Sequence, residues 1–567
     1  LRANAESEFG VPKLPSLPEF SCLAPRASRL SVCLITKNEE RFLGQCLDSI
    51  RGLASQIVVI DTGSTDWTRD IAARYGAEVY SFDWCDDFSA ARNAALERAT
   101  GHWILFLDAD EELLPDQQKR LLKLIEDDSA LAFRLPMIDK GREEEGVSYV
   151  PRLFRNAPGL FHIGRVHEQV FSSLEVRRQE WGLENKFGDA TLLHHGYTKE
   201  MVKSRDKVAR NLRLLQKALE ELPGEPHLLM NLGLELARAG KLREGLEQYD
   251  AAFRALSALP REEVVPELRE TLLTQFCTHL LSAKKPADVA RVLNSPLAKA
   301  DGLTATLHWL FGLACIELKS YADGAEHMRR CLAKRSKPAL SPVNKNILKA
   351  GPSHCLALCL AALKQPVAAD KVFRDAIEAD PKSKSASFDY ARFLAGNGRE
   401  VDALKWLHQL VTIDPSDATL WQFGGQVALS NPEFLEFGCD WTSEAVKFFP
   451  AHAGLAEQRA TAFLLSGRID EALPHWRQLA GGPNPSHRAA LLICEARLNL
   501  PIKAMAGEIA ARVNQEFVSW YRRLLAANAK KVVSVLNQRL EILRPVVPIA
   551  VRLIEAAIAE AGPMPVK

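Results

Sequence analysis

The sequence predicts an α/β domain built on a mixed, mostly parallel sheet, followed by an all-α array of helical hairpins. Three observations predict it. From residue 29 to about 139, short runs rich in Val, Ile and Leu alternate with amphipathic stretches of roughly 10 to 15 residues, the pattern of strand–helix–strand units. Beyond Lys199 the strand signal stops and apolar residues recur at helical spacing. Within that half, units of small and aromatic residues recur with irregular segments between them, and the turn glycines Gly398 and Gly467 lie 69 residues apart, about twice the roughly 34-residue period of a stacked two-helix unit.

The strand runs, in order, are "RLSVCLIT" (29–36), "QIVVIDTGS" (56–64), "AEVYSFDW" (77–84), "HWILFLDAD" (102–110) and "ALAFRLPMI" (130–138). The helical stretches between them are "EERFLGQCLDSIRGL", "DWTRDIAARYG", "DFSAARNAALERAT" and "LPDQQKRLLKLIED". From 140 to 198 helices give way to short strands and turns, which predicts a smaller mixed extension of the same sheet. Residues 1–28 are Pro-rich and polar, lack the apolar centre of a secretory signal, and read as a flexible leader.

In the helical half, "NLGLELARAGKLREGLEQYDAAF" (231–253) sets Gly233, Ala237, Gly240, Gly245, Tyr249 and Ala252 at tetratricopeptide-like offsets. Small residues let the two helices of a hairpin approach, and the aromatic fills the gap between them. Similar units recur at 310–333, 355–381, 388–415 and 459–480, with Gly240, Gly398 and Gly467 at the helix turns. One hairpin cannot bury its own apolar face, so the array is expected to stack into a curved solenoid. The expected domains are 29–198 for the α/β part, 199–482 for the repeats and 483–567 for a C-terminal helical region.

Composition narrows the function. With 567 residues the chain is too long for one core, and roughly three or four domain-sized units are expected. The 72 basic and 71 acidic residues leave no overall field to attract nucleic acid or an anionic membrane. No apolar run approaches the ~20 residues of a transmembrane segment. The 11 cysteines are scattered through core patterns without a C-x-x-C pair, which predicts reduced thiols in a cytoplasmic protein and argues against a cysteine metal site.

The chemistry-bearing residues fall at strand ends. In open parallel sheets, ligands bind beyond the carboxyl ends of the strands. The first run ends in Thr36-Lys37-Asn38-Glu39, the second in Asp61-Thr62-Gly63-Ser64-Thr65-Asp66, and the fourth in Asp108-Ala109-Asp110. Ser64 or Thr65 can cap the next helix. Asp61 sits one residue before Thr62, where no cap needs it, and suits an N–H donor on a ligand such as a base edge. On an extended chain Asp108 and Asp110 face the same side, and paired carboxylates there suit a hard divalent cation. Arg92 on the third helix is placed to meet phosphate charge. The bland alternatives are a solvated turn for the acids and a solvated helix arginine for Arg92.

Taken together, "SVCLITKNEERFLGQCLDSI", "IVVIDTGSTDWTRDIA", "WCDDFSAARNAAL" and "GHWILFLDADEEL" resemble the family-2 glycosyltransferases of the GT-A fold, in the bacterial subgroup fused to tetratricopeptide repeats. The resemblance extends through "PRLFRN" (151–156), "GRVHEQV" (164–170) and "HHGY" (194–197). It implies a Rossmann-like mixed sheet and an inverting, nucleotide-sugar-dependent transferase using Mn²⁺ or Mg²⁺. Thr36, Asn38, Glu39, Asp61, Ser64, Arg92 and Asp108 would bind the nucleotide sugar, usually a uridine diphosphate sugar. Asp110 would ligate the cation, with His194, or His195 in its place, as a further contact. Glu168 would be the catalytic base, against the simpler reading of a sheet-edge acid paired with Arg165 or His167.

The resemblance also implies a polypeptide acceptor held by the repeats. The rivals are a lipid-linked or cell-surface glycan acceptor, with the repeats serving dimerisation or partner docking, and a repeat scaffold carrying an inactive sugar-nucleotide fold. A homodimer is among the assemblies such an array allows. A nucleotidyltransferase fits less well, because "TKNEERF" is not a Gly-rich phosphate loop.

Overall fold

Alternation along the first strand sets up three layers. In the computed structural model, β1 (Leu30–Thr36) sends Val32 and Leu34 to one face of the sheet and Cys33 to the other, and all three are fully buried. Residues 30–141, 147–195, 205–337, 340, 344–503 and 508–561 are described. The leader and the acidic stretch 142–146 lie outside them, as do Gly196 and Tyr197 of "HHGY".

The helices α1 (Leu43–Ser49), α2 (Thr68–Arg74) and α4 (Gln118–Leu124) pack through Leu43, Leu47, Ala72 and Leu121 on the Val32 face. On the Cys33 face, α3 (Phe88–Leu96) and α5 (Phe171–Trp181) bring Ala91, Ala95 and Leu174 against Ile60 and Phe106. Each fully buried aliphatic side chain contributes about 1.5–3 kcal/mol. That is why a strand covered on both faces reads as an unbroken apolar run.

The sheet also contains β2 (Gln56–Asp61), β3 (Glu78–Ser81), β4 (Trp103–Phe106), β5 (Glu111–Leu113), β6 (Ala130–Asp139), β7 (Ser148–Arg155), β8 (Glu184–Phe187) and β9 (Leu192–His194). Its order is β3-β2-β1-β4-β7-β6-β9-β5, with β8 also on β6. The first four strands in that order run parallel, and β7 joins β4 antiparallel. The mixed extension over 140–198 is present, but it includes α5. That helix departs from the expected strands and turns because its buried positions, Ser173, Leu174 and Arg177, carry no apolar stripe to read.

The fourth strand is shorter than its sequence run. It ends at Phe106, and Asp108–Asp110 form a turn closed by Glu111 N–H donating to Asp108 O at 2.9 Å. The two aspartates therefore do not share a side of an extended strand as expected. The chain turns because β5 belongs elsewhere, antiparallel to β9 with Glu111 opposite His194.

The chain divides into two compact units, 1–381 and 382–567. In the first, α6 (Arg205–Glu221) is followed by the hairpin α7 (Pro226–Arg238) and α8 (Leu242–Ser257). A Cβ on Gly245 would lie 2.7 Å from Gly233 O, so the two helices cross at the glycine pair, with Tyr249 filling the gap beside them. Further hairpins pair 305–317 with 321–334 and 351–362 with 366–379. The helices of the second unit include 384–396 with 400–413, 453–465 with 469–479, and 485–497 with 508–526, and Trp476 of 469–479 meets Trp520 of 508–526 edge to face at 5.4 Å. Gly240, Gly398 and Gly467 turn the hairpins with φ of +80°, +73° and +76°. Lys284, Lys319 and Lys364 hold equivalent turns at φ near +60°. No described helix is long and apolar enough to cross a membrane. The described cysteines are free thiols, and most are buried.

Candidate active site

Parallel register brings Thr36, Asp61 and Ser81 side by side at the carboxyl edge of β1, β2 and β3. Asp61 is 1% exposed. Its Oδ2 accepts from Gly63 N–H at 3.2 Å, Ser64 N–H at 3.1 Å and Arg69 Nη1 at 3.3 Å, and Thr36 Oγ1 lies 3.4 Å from Oδ1. Asp61 caps no helix, as its position predicts, and it serves instead as the acceptor that closes the turn after β2. Gly63 is there because the turn needs φ of +101°.

The loops after β1 and β2 are laced together. Asn38 N–H donates to Ser64 Oγ at 2.9 Å, and Asn38 Oδ1 accepts from Thr65 N–H at 2.8 Å. Asp66 accepts from Thr68 N–H at 3.0 Å and Glu40 N–H at 3.1 Å. Neither Ser64 nor Thr65 caps α2, which starts after Trp67. Glu39 sits among acids, and burial together with the charges of Asp110, Asp108 and Asp66 pushes its carboxyl up to about 7.

The turn after β4 splits the two aspartates between different partners. Asp108 Oδ1 accepts from Arg92 Nη2 at 2.7 Å and Oδ2 from Arg152 Nη2 at 2.5 Å. Burial opposes its ionisation, yet the Arg152 and Arg92 guanidiniums outweigh that and hold it well below the usual carboxylate range. Arg152 also donates to the buried Glu111. Arg92 is held on the other side by Glu168, whose Oε1 accepts from Nε at 2.7 Å, and its guanidinium lies over the Phe106 ring at 4.5 Å. The expected phosphate contact thus spends two of its donors on protein carboxylates, while Arg92 Nη1 has no protein partner.

Asp110 turns the other way. Its Oδ2 lies 3.4 Å from His194 Nε2, and His194 Nδ1 pairs with Asp139 Oδ1 at 2.7 Å. Burial disfavours the imidazolium, but hydrogen bonds to Asp110 and Asp139 outweigh it and push His194 up to about 9. A carboxylate on one ring nitrogen is the arrangement that orients metal-binding histidines, and here Asp110 faces the other nitrogen, so a cation would take the place of the proton between them. One carboxylate and one imidazole facing each other suit Mn²⁺ or Mg²⁺. Among the described residues no group of three or more His, Cys, Asp or Glu is placed to hold a metal alone. Asp110 and His194 therefore fit as part of a shell that a ligand completes. His195 faces elsewhere, with Nε2 3.3 Å from Glu112 and its ring 5.7 Å from Phe42.

Glu168 lies on a loop closed by Ile163 and Gln169, which exchange two backbone hydrogen bonds of 2.9 Å. It pairs with neither Arg165 nor His167, the partners of its simpler reading. Arg165 donates to Glu221 Oε1 at 2.6 Å and His167 pairs with Glu235 at 2.8 Å, both on the helical side.

Sequence reasoning missed Arg152, Glu111 and Asp139. An arginine inside the apolar run "YVPRLFR" was a usable sign of a buried ion pair, since arginine is rarely buried unpaired. Nothing local marked Asp139, which meets His194 because both end neighbouring strands, Asp139 opposite His194 in the β6–β9 register.

Two stretches of the chain match known families. Residues 31–198 match the model for Glycosyl transferase family 2, and residues 360–426 match a Tetratricopeptide repeat model. A TPR repeat-containing protein of Synechococcus elongatus is 34% identical over 224 residues, 39% of this chain and 55% of the relative. The SPbeta prophage-derived glycosyltransferase SunS of Bacillus subtilis is 31% identical over 225 residues, 38% of this chain and 50% of the relative. The chain thus spans about half the length of these curated relatives. Among solved structures, S. aureus TarS 1–349 in complex with UDP-GlcNAc aligns at 18% identity and a TM-score of 0.29, over 47% of this chain and 90% of that one.

Proposed function

From a chain whose residues 31–198 form a glycosyl transferase family 2 domain joined to tetratricopeptide repeats, we propose a metal-dependent inverting transferase that moves a sugar from a nucleotide sugar, a UDP-sugar, to a polypeptide acceptor held by the repeats. The observation that carries this reading is the division of labour at the β4 turn. Asp108 is fixed by two guanidiniums, while Asp110 is left facing a histidine that Asp139 orients.

Thr36, Asn38, Glu39, Asp61 and Ser64 form the edge that takes the base and ribose. Asp110 and His194 are the residues that would hold Mn²⁺ or Mg²⁺. A divalent cation there supplies neutralisation of the leaving diphosphate. Glu168 takes the proton of the acceptor hydroxyl or thiol as that atom bonds to the anomeric carbon and the bond to the diphosphate breaks. Arg92 holds Glu168 and Asp108 in one frame, so base and donor site keep a fixed separation.

The test is a panel of nucleotide sugars with Mn²⁺, scored by nucleotide release, with Asp110→Ala as the control. Asp110 is preferred to Asp108, whose loss would strip two buried guanidiniums of a shared partner. Release from one UDP-sugar, absent in the variant, supports the transferase and names the donor. Silence across the panel, with no thermal shift from UDP and Mn²⁺, would turn the reading toward a non-catalytic scaffold.

A further inference from the structure

His167 has φ of +52°, in the left-handed region that side-chain-bearing residues rarely adopt. Such a backbone persists where surrounding contacts over-determine it. Here the contacts come from the helical repeats. His167 Nε2 lies 2.8 Å from Glu235 Oε1, in the last turn of α7. Glu235 is 0% exposed, and a carboxylate is buried that deeply only when it is paired. Arg238, one turn along the same helix, gives the same oxygen a second bond at 2.8 Å.

The two preceding residues are tied to the same side. Arg165 is bound to Glu221 at the end of α6, and Val166 is buried among Leu214, Leu215, Leu228 and Leu232. The next residue, Glu168, points the opposite way, to Arg92 and through it to Asp108. The left-handed step at His167 is thus the point where a loop gripped by the repeats turns its acid toward the sheet domain.

We propose that Glu235 is a positioning residue of the transfer site: by holding His167 in its left-handed step it aims Glu168, so the first helical hairpin completes the catalytic centre rather than only serving the acceptor. The proposal rests on Glu168 acting as the base. It gives the fusion of the two architectures a chemical reason, and it makes loading of the first hairpin a way to alter turnover without touching the donor.

The experiment uses the full chain with Glu235→Leu and Glu235→Gln. Leucine keeps the volume but removes one side of the pair; the partners it leaves, His167 and Arg238, are 28% and 49% exposed, so water can solvate them and the cost stays below that of breaking a fully buried pair. Glutamine keeps an acceptor oxygen for His167. Glu235→Leu should lower the melting temperature while leaving the chain folded at the assay temperature, lower kcat about tenfold or more, and leave the donor KM within about twofold. Backbone hydrogen exchange over residues 163–169 should accelerate in the same variant. Glu235→Gln should restore kcat and exchange toward wild type, which a purely structural buried charge would not predict. Wild-type kcat in Glu235→Leu, or unchanged exchange over 163–169, overturns the proposal. Should the wild-type chain release no nucleotide from any donor, the function reading fails, and the exchange result still decides whether Glu235 holds this loop.

Discussion

Arg92 Nη2 lies 2.7 Å from Asp108 Oδ1, and this pair is the keystone of the sheet edge. The same guanidinium holds Glu168, which is 76 residues away in sequence. Arg92 is buried, so removing it leaves Glu168 without its charged partner and Asp108 with Arg152 alone. Arg92→Met should therefore destabilise the chain by about 3 kcal/mol or more, the scale of breaking a buried pair from one side. Arg92→Lys should fail similarly, because an ammonium cannot serve two carboxylates in the fork geometry. Denaturant unfolding measures both, and a loss of less than about 1 kcal/mol in each would show that the pair is screened like a surface bridge.

Asp110 and His194 make a separable prediction. Their pairing borders the proposed cation site but anchors no buried guanidinium, and His194 retains Asp139 when Asp110 is changed. Asp110→Asn should thus fold with near-native stability while losing the thermal shift given by UDP with Mn²⁺. Treatment of the wild type with a chelator should abolish the same shift and be reversed by added Mn²⁺. A full ligand shift in Asp110→Asn would remove Asp110 from the cation site.

How much of this was legible in the sequence follows from how local each signal is. The parallel strands were readable because both faces of β1 and β2 are covered, so apolar runs such as "LSVCLI" carry the information by themselves. The glycine-marked hairpins at Gly240, Gly398 and Gly467 were readable for the same reason. The turns at Lys284, Lys319 and Lys364 were not, since a lysine in a left-handed turn costs only roughly 1–2 kcal/mol and the packed hairpin absorbs it. At the site, the strand-end acids were visible as residue types. Their assignment to partners was not, because Arg92 with Glu168, Asp110 with His194 and His167 with Glu235 are all pairings set by tertiary register.

The boundary near residue 199 makes a further prediction. The sequence sets the end of the α/β domain at 198. In the folded chain Val166 is buried among leucines of α6 and α7, Phe171 packs against the next cluster, and Arg134 pairs with Glu267. A chain truncated after Ser204 should expose these groups and lose cooperative unfolding, whereas one ending at Pro381 should keep it. Calorimetry of the two truncations decides this. A sharp transition for the shorter chain would show that the sheet domain stands alone.

Acid stability gives a last prediction, independent of the site. His308 and His327 face each other with Nδ1 atoms 3.0 Å apart on adjoining helices of one hairpin. Burial first, then the charges of His327, Lys334 and Arg330, push His308 down to about 3. Burial and Arg330 lower His327 as well, against Asp323 and Glu326. Folded values below the unfolded value of about 6.5 mean that the unfolded chain binds more protons. The contribution of the pair is therefore fully present above about pH 6.5 and is lost as the pH falls below it, by up to about 1.4 kcal/mol per pH unit for each histidine forced to stay neutral. His308→Leu removes one of the two protons from that balance, so its melting temperature should fall less steeply than wild type between pH 6.5 and 4.5. Comparison with wild type cancels His194, whose raised value acts in the opposite sense. Parallel curves for the two chains would mean that the pair takes up its proton in the folded state.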